Sequence, residues 1–193
     1  MITFARFTYL LLWVISALIL WSCTPSDTSK DEALIIHRFL DGQLGSFKYP
    51  VFHESVSKEE LLKWVQIPLD KKRLVRSAVL EPQKLDLFLT NEALKNWTHQ
   101  IQSYESFEWG YIDSVDFNTI GKDEIPRYIR EGGLPKPNEE ASIVGVLYMS
   151  KPFVYKDMAL LYVRRSGSTG VLWFFKKDNK SWERVTYVSL STG

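Results

Sequence analysis

The stretch from Ile143 to Leu190, IVGVLYMSKPFVYKDMALLYVRRSGSTGVLWFFKKDNKSWERVTYVSL, decides the fold. It holds four short apolar runs at nearly even spacing: Ile143 to Met149, Met158 to Arg164, Val171 to Lys176 and Trp182 to Leu190. The breaks between them are turn chemistry, with Pro152 and Asp157, then Ser166-Gly167-Ser168-Thr169-Gly170, then Asp178-Asn179. Connections this short cannot carry a parallel crossover, so the runs predict an antiparallel meander. A strand open to water on one side alternates apolar with polar residues, but Leu160-Leu161-Tyr162-Val163 and Val171-Leu172-Trp173-Phe174-Phe175 do not. The sheet is therefore expected to be covered on both sides or curved around its contents.

Working back from the meander, the chain predicts helices. Ser57-Lys58-Glu59-Glu60 fits the capping box S-x-x-E, in which the Ser and Glu side chains satisfy orphan amides at a helix start. Leu61, Leu62, Trp64 and Val65 follow until Pro68 stops the helix. A similar box, Ser29-Lys30-Asp31-Glu32, precedes Leu34, Ile35, Ile36, Phe39 and Leu40, with Gly42 and Gly45 ending the segment. Asn91 to Gln102 reads as a third helix capped by Thr90, Arg73 to Pro82 is open between strand and helix, and Gly132 to Ser142 reads as an exposed loop. The class is α+β, with N-terminal helices packed on a curved antiparallel sheet whose C-terminal part is a four-stranded meander.

The 24 Lys and Arg nearly balance the 23 Asp and Glu, which excludes a protein that binds nucleic acid chiefly by charge. One cysteine makes no internal disulfide and no cysteine metal cage. The start of the chain gives that cysteine a different meaning. Phe7 to Ser22 (FTYLLLWVISALILWS) is uncharged and mostly apolar and follows Arg6, the pattern of a secretory signal. As a helix this run would span about 24 Å, short of the roughly 30 Å hydrocarbon core of a bilayer.

Leu20-Trp21-Ser22-Cys23 resembles the lipobox of bacterial lipoprotein precursors. The resemblance implies that the Cys23 thiol is joined to diacylglycerol, that the signal is cut before it, and that the new amino terminus receives an acyl chain such as palmitate. Trp21 stands where a smaller residue is usual, and an uncleaved signal anchor is the alternative. The expected organisation is residues 1–22 as signal peptide, 23–29 as lipidated Cys and flexible tether, and 30–193 as a single α+β domain. Without Arg6 the basic and acidic side chains balance, so nothing but the lipid draws the domain to a membrane. Thr24 rather than Asp after the cysteine implies, within that family, sorting to an outer membrane, with the domain in the periplasm or at the cell surface.

The order of helices first and apolar antiparallel sheet last resembles the cone-shaped folds of the nuclear transport factor 2-like class and the related cystatin-like arrangement. The closing stretch, with Ser150-Lys151-Pro152-Phe153, a Gly-bounded hairpin and the Lys177 to Trp182 hairpin, is similar to the C-terminal pattern of uncharacterised secreted proteins of Bacteroidota. That pattern carries no catalytic signature.

The candidate chemistry is sparse. His37, His53 and His99 form no H-x-x-x-H or H-E-x-x-H pair, so no metal is implied. Asp116-x-Asn118 with Gly121 opens like a calcium loop, but Ile120 and Arg127 stand where oxygen ligands are needed. Gly167-Ser168-Thr169-Gly170 lacks the spacing of a nucleophile elbow, and no phosphate-cradling glycine motif occurs, so no cofactor is implied. Lys71-Lys72-Arg73 with Arg76, and Arg164-Arg165, are basic clusters of the kind that normally form solvated faces.

Aromatic density keeps a binding role in view, with Tyr148, Tyr162, Trp173 and Phe175 as the candidate lining of a pocket for a small apolar ligand. The expectation is a lipid-anchored, extracytoplasmic, non-catalytic binding or accessory module whose partners are the membrane and a protein or small apolar ligand, not nucleic acid. The rival is a hydrolase or isomerase of a cone-shaped fold, for which Asp86, Asp113, Asp116, Tyr111 and Tyr162 are the residues to inspect first.

Overall fold

The computed structural model describes residues 28–42, 49–77, 82–111, 118–131 and 145–190. The signal segment, Cys23, the loop at 132–142 and the first two residues of the Ile143 run lie outside these.

The expected meander is present. Strand β3 (Leu147–Met149) pairs antiparallel with β5 (Met158–Arg165), β5 with β6 (Gly170–Asp178), and β6 with β7 (Ser181–Ser189). Strand β4 (Phe153–Tyr155) pairs with the first half of β5 while β3 pairs with the second half, so β3 and β4 act as one strand interrupted at Ser150-Lys151-Pro152. The register slips by one residue across that break: Met149 faces Val163, but Phe153 faces Leu160. Pro152 has no amide to give a ladder, and beside the break the Ser150 Oγ accepts the Tyr162 amide at 3.1 Å.

Besides β4, which lies in the expected break between the first two runs, two strands escaped the sequence. Strand β1 (Val51–Phe52) runs parallel to both β2 (Thr119–Ile120) and β3, giving a mixed, open sheet ordered β2-β1-β3-β5-β6-β7. Each is two residues long and pairs with partners distant in sequence, so neither shows as a periodic run.

The sheet is covered on both faces, the first of the two expected arrangements. One face presents Leu160, Tyr162, Leu172, Phe174 and Val188 to α2 (Lys58–Val65), α3 (Lys71–Arg76), α4 (Pro82–Asp86) and α5 (Asn91–Gln102). Trp97 of α5 meets Phe174 edge-on, and both are buried. The opposite face presents Ala159, Leu161, Val163, Phe175 and Trp182 to α1 (Thr28–Asp41), through Ile35, Ile36 and Phe39. A smaller cluster joins Ile120, Ile125 and Val146 to Ile129 of α6 (Arg127–Arg130). Each large apolar side chain buried in this way contributes about 1.5–3 kcal/mol, which explains apolar residues at consecutive strand positions.

The helix starts follow their caps. Ser57 Oγ accepts the Glu60 amide at 3.1 Å, Asp70 the Lys72 amide at 2.7 Å, and Thr90 the Ala93 amide at 3.2 Å. The open segment at Arg73 to Pro82 is therefore helical where it begins. Helix α1 differs from its expected start: it is already helical at Thr28, so Ser29 is not its cap. Asp31 is instead used across the fold, where its carboxylate accepts from Lys177 Nζ at 2.7 Å and Trp182 Nε1 at 3.0 Å and fastens α1 to the β6–β7 hairpin.

Candidate functional site

Two constellations stand out, one on each face of the sheet. The first is built around Glu60. Its place in the S-x-x-E box suggested that its carboxylate would turn back to the helix start. It crosses instead to β5, accepting from Arg164 Nε at 2.7 Å and Nη2 at 3.3 Å, with the Tyr162 hydroxyl at 3.4 Å. The Arg164 guanidinium also lies 4.4 Å from the Tyr148 ring centroid.

Burial and charge act on the phenols and the guanidinium of this cluster. Burial pushes the phenols of Tyr162 and Tyr148 up, and the Glu60 carboxylate adds to both shifts. Burial opposes the charge of Arg164, but the hydrogen bond and field of Glu60 outweigh it and hold the guanidinium above its ordinary value. Tyr162 is fully buried and does not line the 410 Å³ hollow beside Glu60, Lys63, Trp64 and Arg164. A carboxylate paired with an arginine and reached by a buried phenol forms a clamp between α2 and β5.

The second constellation is a cleft of about 750 Å³ on the α1 face, where that helix stops and the sheet continues. Val163 and Val171, directly paired across β5 and β6, form its floor with Leu147, Trp173 and Tyr187. Trp173 and Tyr187 are cross-strand partners with ring centroids 4.6 Å apart. Guanidiniums stand at its edge: Arg184 is 4.8 Å from the Trp173 ring centroid and donates to the Gly42 carbonyl at 3.1 Å, while Arg165 donates to the Tyr49 hydroxyl at 3.2 Å. Gly42 and Tyr49 flank residues 43–48, which lie outside the described part. The described lining contains no carboxylate, imidazole or thiol.

The candidate lining residues are divided between these places. Tyr148 and Tyr162 are on the helix-bundle face at the Glu60 clamp; Trp173 lines the cleft; Phe175 points to the same face as Trp173 but is fully buried in the core. Strand parity separates them, because Leu161 pairs with Trp173 and Tyr162 with Leu172. A single cavity therefore does not collect all four.

Of the residues nominated for an enzyme, Asp86 forms an exposed ion pair with Lys71 at 3.1 Å and Tyr111 closes a short 3-10 turn; Asp113 and Asp116 lie outside the described residues. His53 is 3.3 Å from Glu54, and no group of three His, Cys, Asp or Glu able to hold a metal occurs among the described residues. The Gly167 segment is the β5–β6 turn, with Gly167 at φ 71°. No described helix is long and apolar enough to cross a membrane.

Tyr187 and Arg184 line the cleft but were not among the four candidate lining residues. Both sit in an alternating strand that reads as half exposed; Tyr187 belongs to the aromatic density of the closing stretch, whereas no pattern singles out Arg184. Compared with family models, with curated proteins and with solved structures, the chain matches none.

Proposed function

We propose that this protein is a lipid-anchored, extracytoplasmic binding module, tethered through Cys23, whose cleft above Val163, Val171, Trp173 and Tyr187 takes a small apolar ligand. The observation that carries the binding reading is the cleft itself: an apolar floor with half-exposed aromatic rings suits retention of a small apolar ligand. The lipobox-like Leu20-Trp21-Ser22-Cys23 supports the tether, and the neutral balance of charge agrees with a domain that depends on lipid for its location.

Intact mass spectrometry of the membrane fraction tests both halves. The expected species begins at Cys23 and carries diacylglycerol, and native extraction releases a small apolar molecule that is lost in Trp173→Ala. A soluble chain with an unmodified Cys23 overturns the tether. Retention of every co-purifying molecule in Trp173→Ala overturns the cleft as the binding site.

A further inference from the structure

We infer that the ligand of the cleft ends in a carboxylate and that Arg184 is the residue that binds it. This rests on the cleft being a small-ligand site and specifies the chemistry of what enters.

The placement of Arg184 depends on a bulge. Phe174 pairs with Thr186, and the next residue, Phe175, pairs with Arg184, so Val185 is an extra residue in β7. In unbroken register Val185 would oppose Phe175, and Arg184 would oppose Lys176 on the other face of the sheet. The bulge turns Arg184 over to the cleft face, where its guanidinium covers Trp173. It also turns Trp182 into the core beneath α1.

Charge then selects the ligand. Arg164, one strand pair away, is neutralised by Glu60. Arg184 has no carboxylate within ion-pairing distance among the described residues; its one described hydrogen bond goes to the Gly42 carbonyl. A guanidinium spread on an indole is weakly hydrated on that side and keeps further N–H donors in a fork that matches a carboxylate. Arg165, also without a described carboxylate partner, adds a second positive charge to the same cleft. An apolar body lying on Val163, Val171 and Tyr187, with a carboxylate at the Trp173 end, satisfies the floor and the charge together.

The test uses the full chain in phosphatidylcholine nanodiscs, titrated calorimetrically with 2-naphthoate and with its neutral counterpart 2-naphthalenemethanol. The expected result is tenfold or greater preference for the naphthoate, abolished in Arg184→Gln and partly kept in Arg184→Lys. Far-UV circular dichroism and an unchanged denaturant midpoint show that each variant is folded. Equal affinity for both probes, each weakened by Trp173→Ala, overturns the carboxylate and leaves the cleft reading standing. A preference that survives Arg184→Gln overturns the role of Arg184. Binding of neither probe overturns both the inference and the reading beneath it.

Discussion

The backbone of Gly170 runs against the ring of Tyr162 so closely that a Cβ added there would lie 2.5 Å from Cε2, 2.7 Å from the hydroxyl oxygen and 2.9 Å from Cζ. The ring is fully buried, so it cannot swing away without opening the core under α2. Gly170→Ala is expected to destabilise the fold by about 1–3 kcal/mol through overpacking. Urea denaturation followed by far-UV circular dichroism measures this, and Gly170→Ala with Tyr162→Leu is expected to recover part of the loss. An unchanged midpoint in Gly170→Ala would show that the ring is not pinned.

The Glu60–Arg164 pair is about three-quarters buried on both side chains. Glu60→Gln leaves the guanidinium desolvated without its counter-charge, at an expected cost of about 2 kcal/mol. Replacing both partners, as Glu60→Gln with Arg164→Met, is expected to cost less than Glu60→Gln alone. Equal destabilisation of the single and double variants, read from denaturant midpoints, would remove the clamp from the account of stability.

Helix α1 is attached to the β6–β7 hairpin through Asp31, Lys177 and Trp182. Asp31→Ala is expected to cost about 2 kcal/mol and to expose Ile35, Ile36 and Phe39 by local detachment. Hydrogen exchange should accelerate in α1 while α5 keeps its protection. Uniform acceleration in both helices would instead mean that the staple stabilises the whole domain.

Alkaline pH should unfold the protein through its buried phenols. Tyr104 donates to the Val56 carbonyl at 3.0 Å, and burial pushes its pKa up to about 12, against about 10 in an unfolded chain. The folded state therefore favours the neutral phenol: its contribution is complete below pH 10 and is lost as pH rises through 12. Tyr162, raised in the same direction by burial, adds to the effect. Denaturation midpoints at pH 8 and pH 11.5 should fall for the natural chain and fall less for Tyr104→Phe; an equal fall would assign the alkaline transition to other groups.

The parts of this fold that were legible are those set by local chemistry. Ser57 and Thr90 announced their helices because a cap acts within three residues, and the turns around Gly167 and Asn179 delimited the meander for the same reason. Strands β1 and β2 were hidden because parallel pairing between Val51 and Thr119 is decided by tertiary contact and leaves no period in two residues. The aromatic cluster was visible, but its division between faces depended on register: one pairing, Tyr162 with Leu172, sets Trp173 opposite to Tyr162. Glu60 shows a different limit, since one residue fitted a capping motif while its carboxylate was committed to a strand 104 positions away. Arg184 was beyond reach because a bulge reverses the face on which an alternating pattern places a side chain.

The same bulge has a consequence for how molecules meet. Strand β7 ends the sheet on one side among the described residues, and the outward-pointing backbone groups of a nine-residue edge would form a template for another chain's strand. Val185 breaks the flat repeat near its middle, and Glu183 and Arg184 set charge beside the break. At the opposite end β2 offers only Thr119 and Ile120. Among the described residues, neither margin gives a visiting strand a long, even run of partners, a safeguard against edge-to-edge polymerisation.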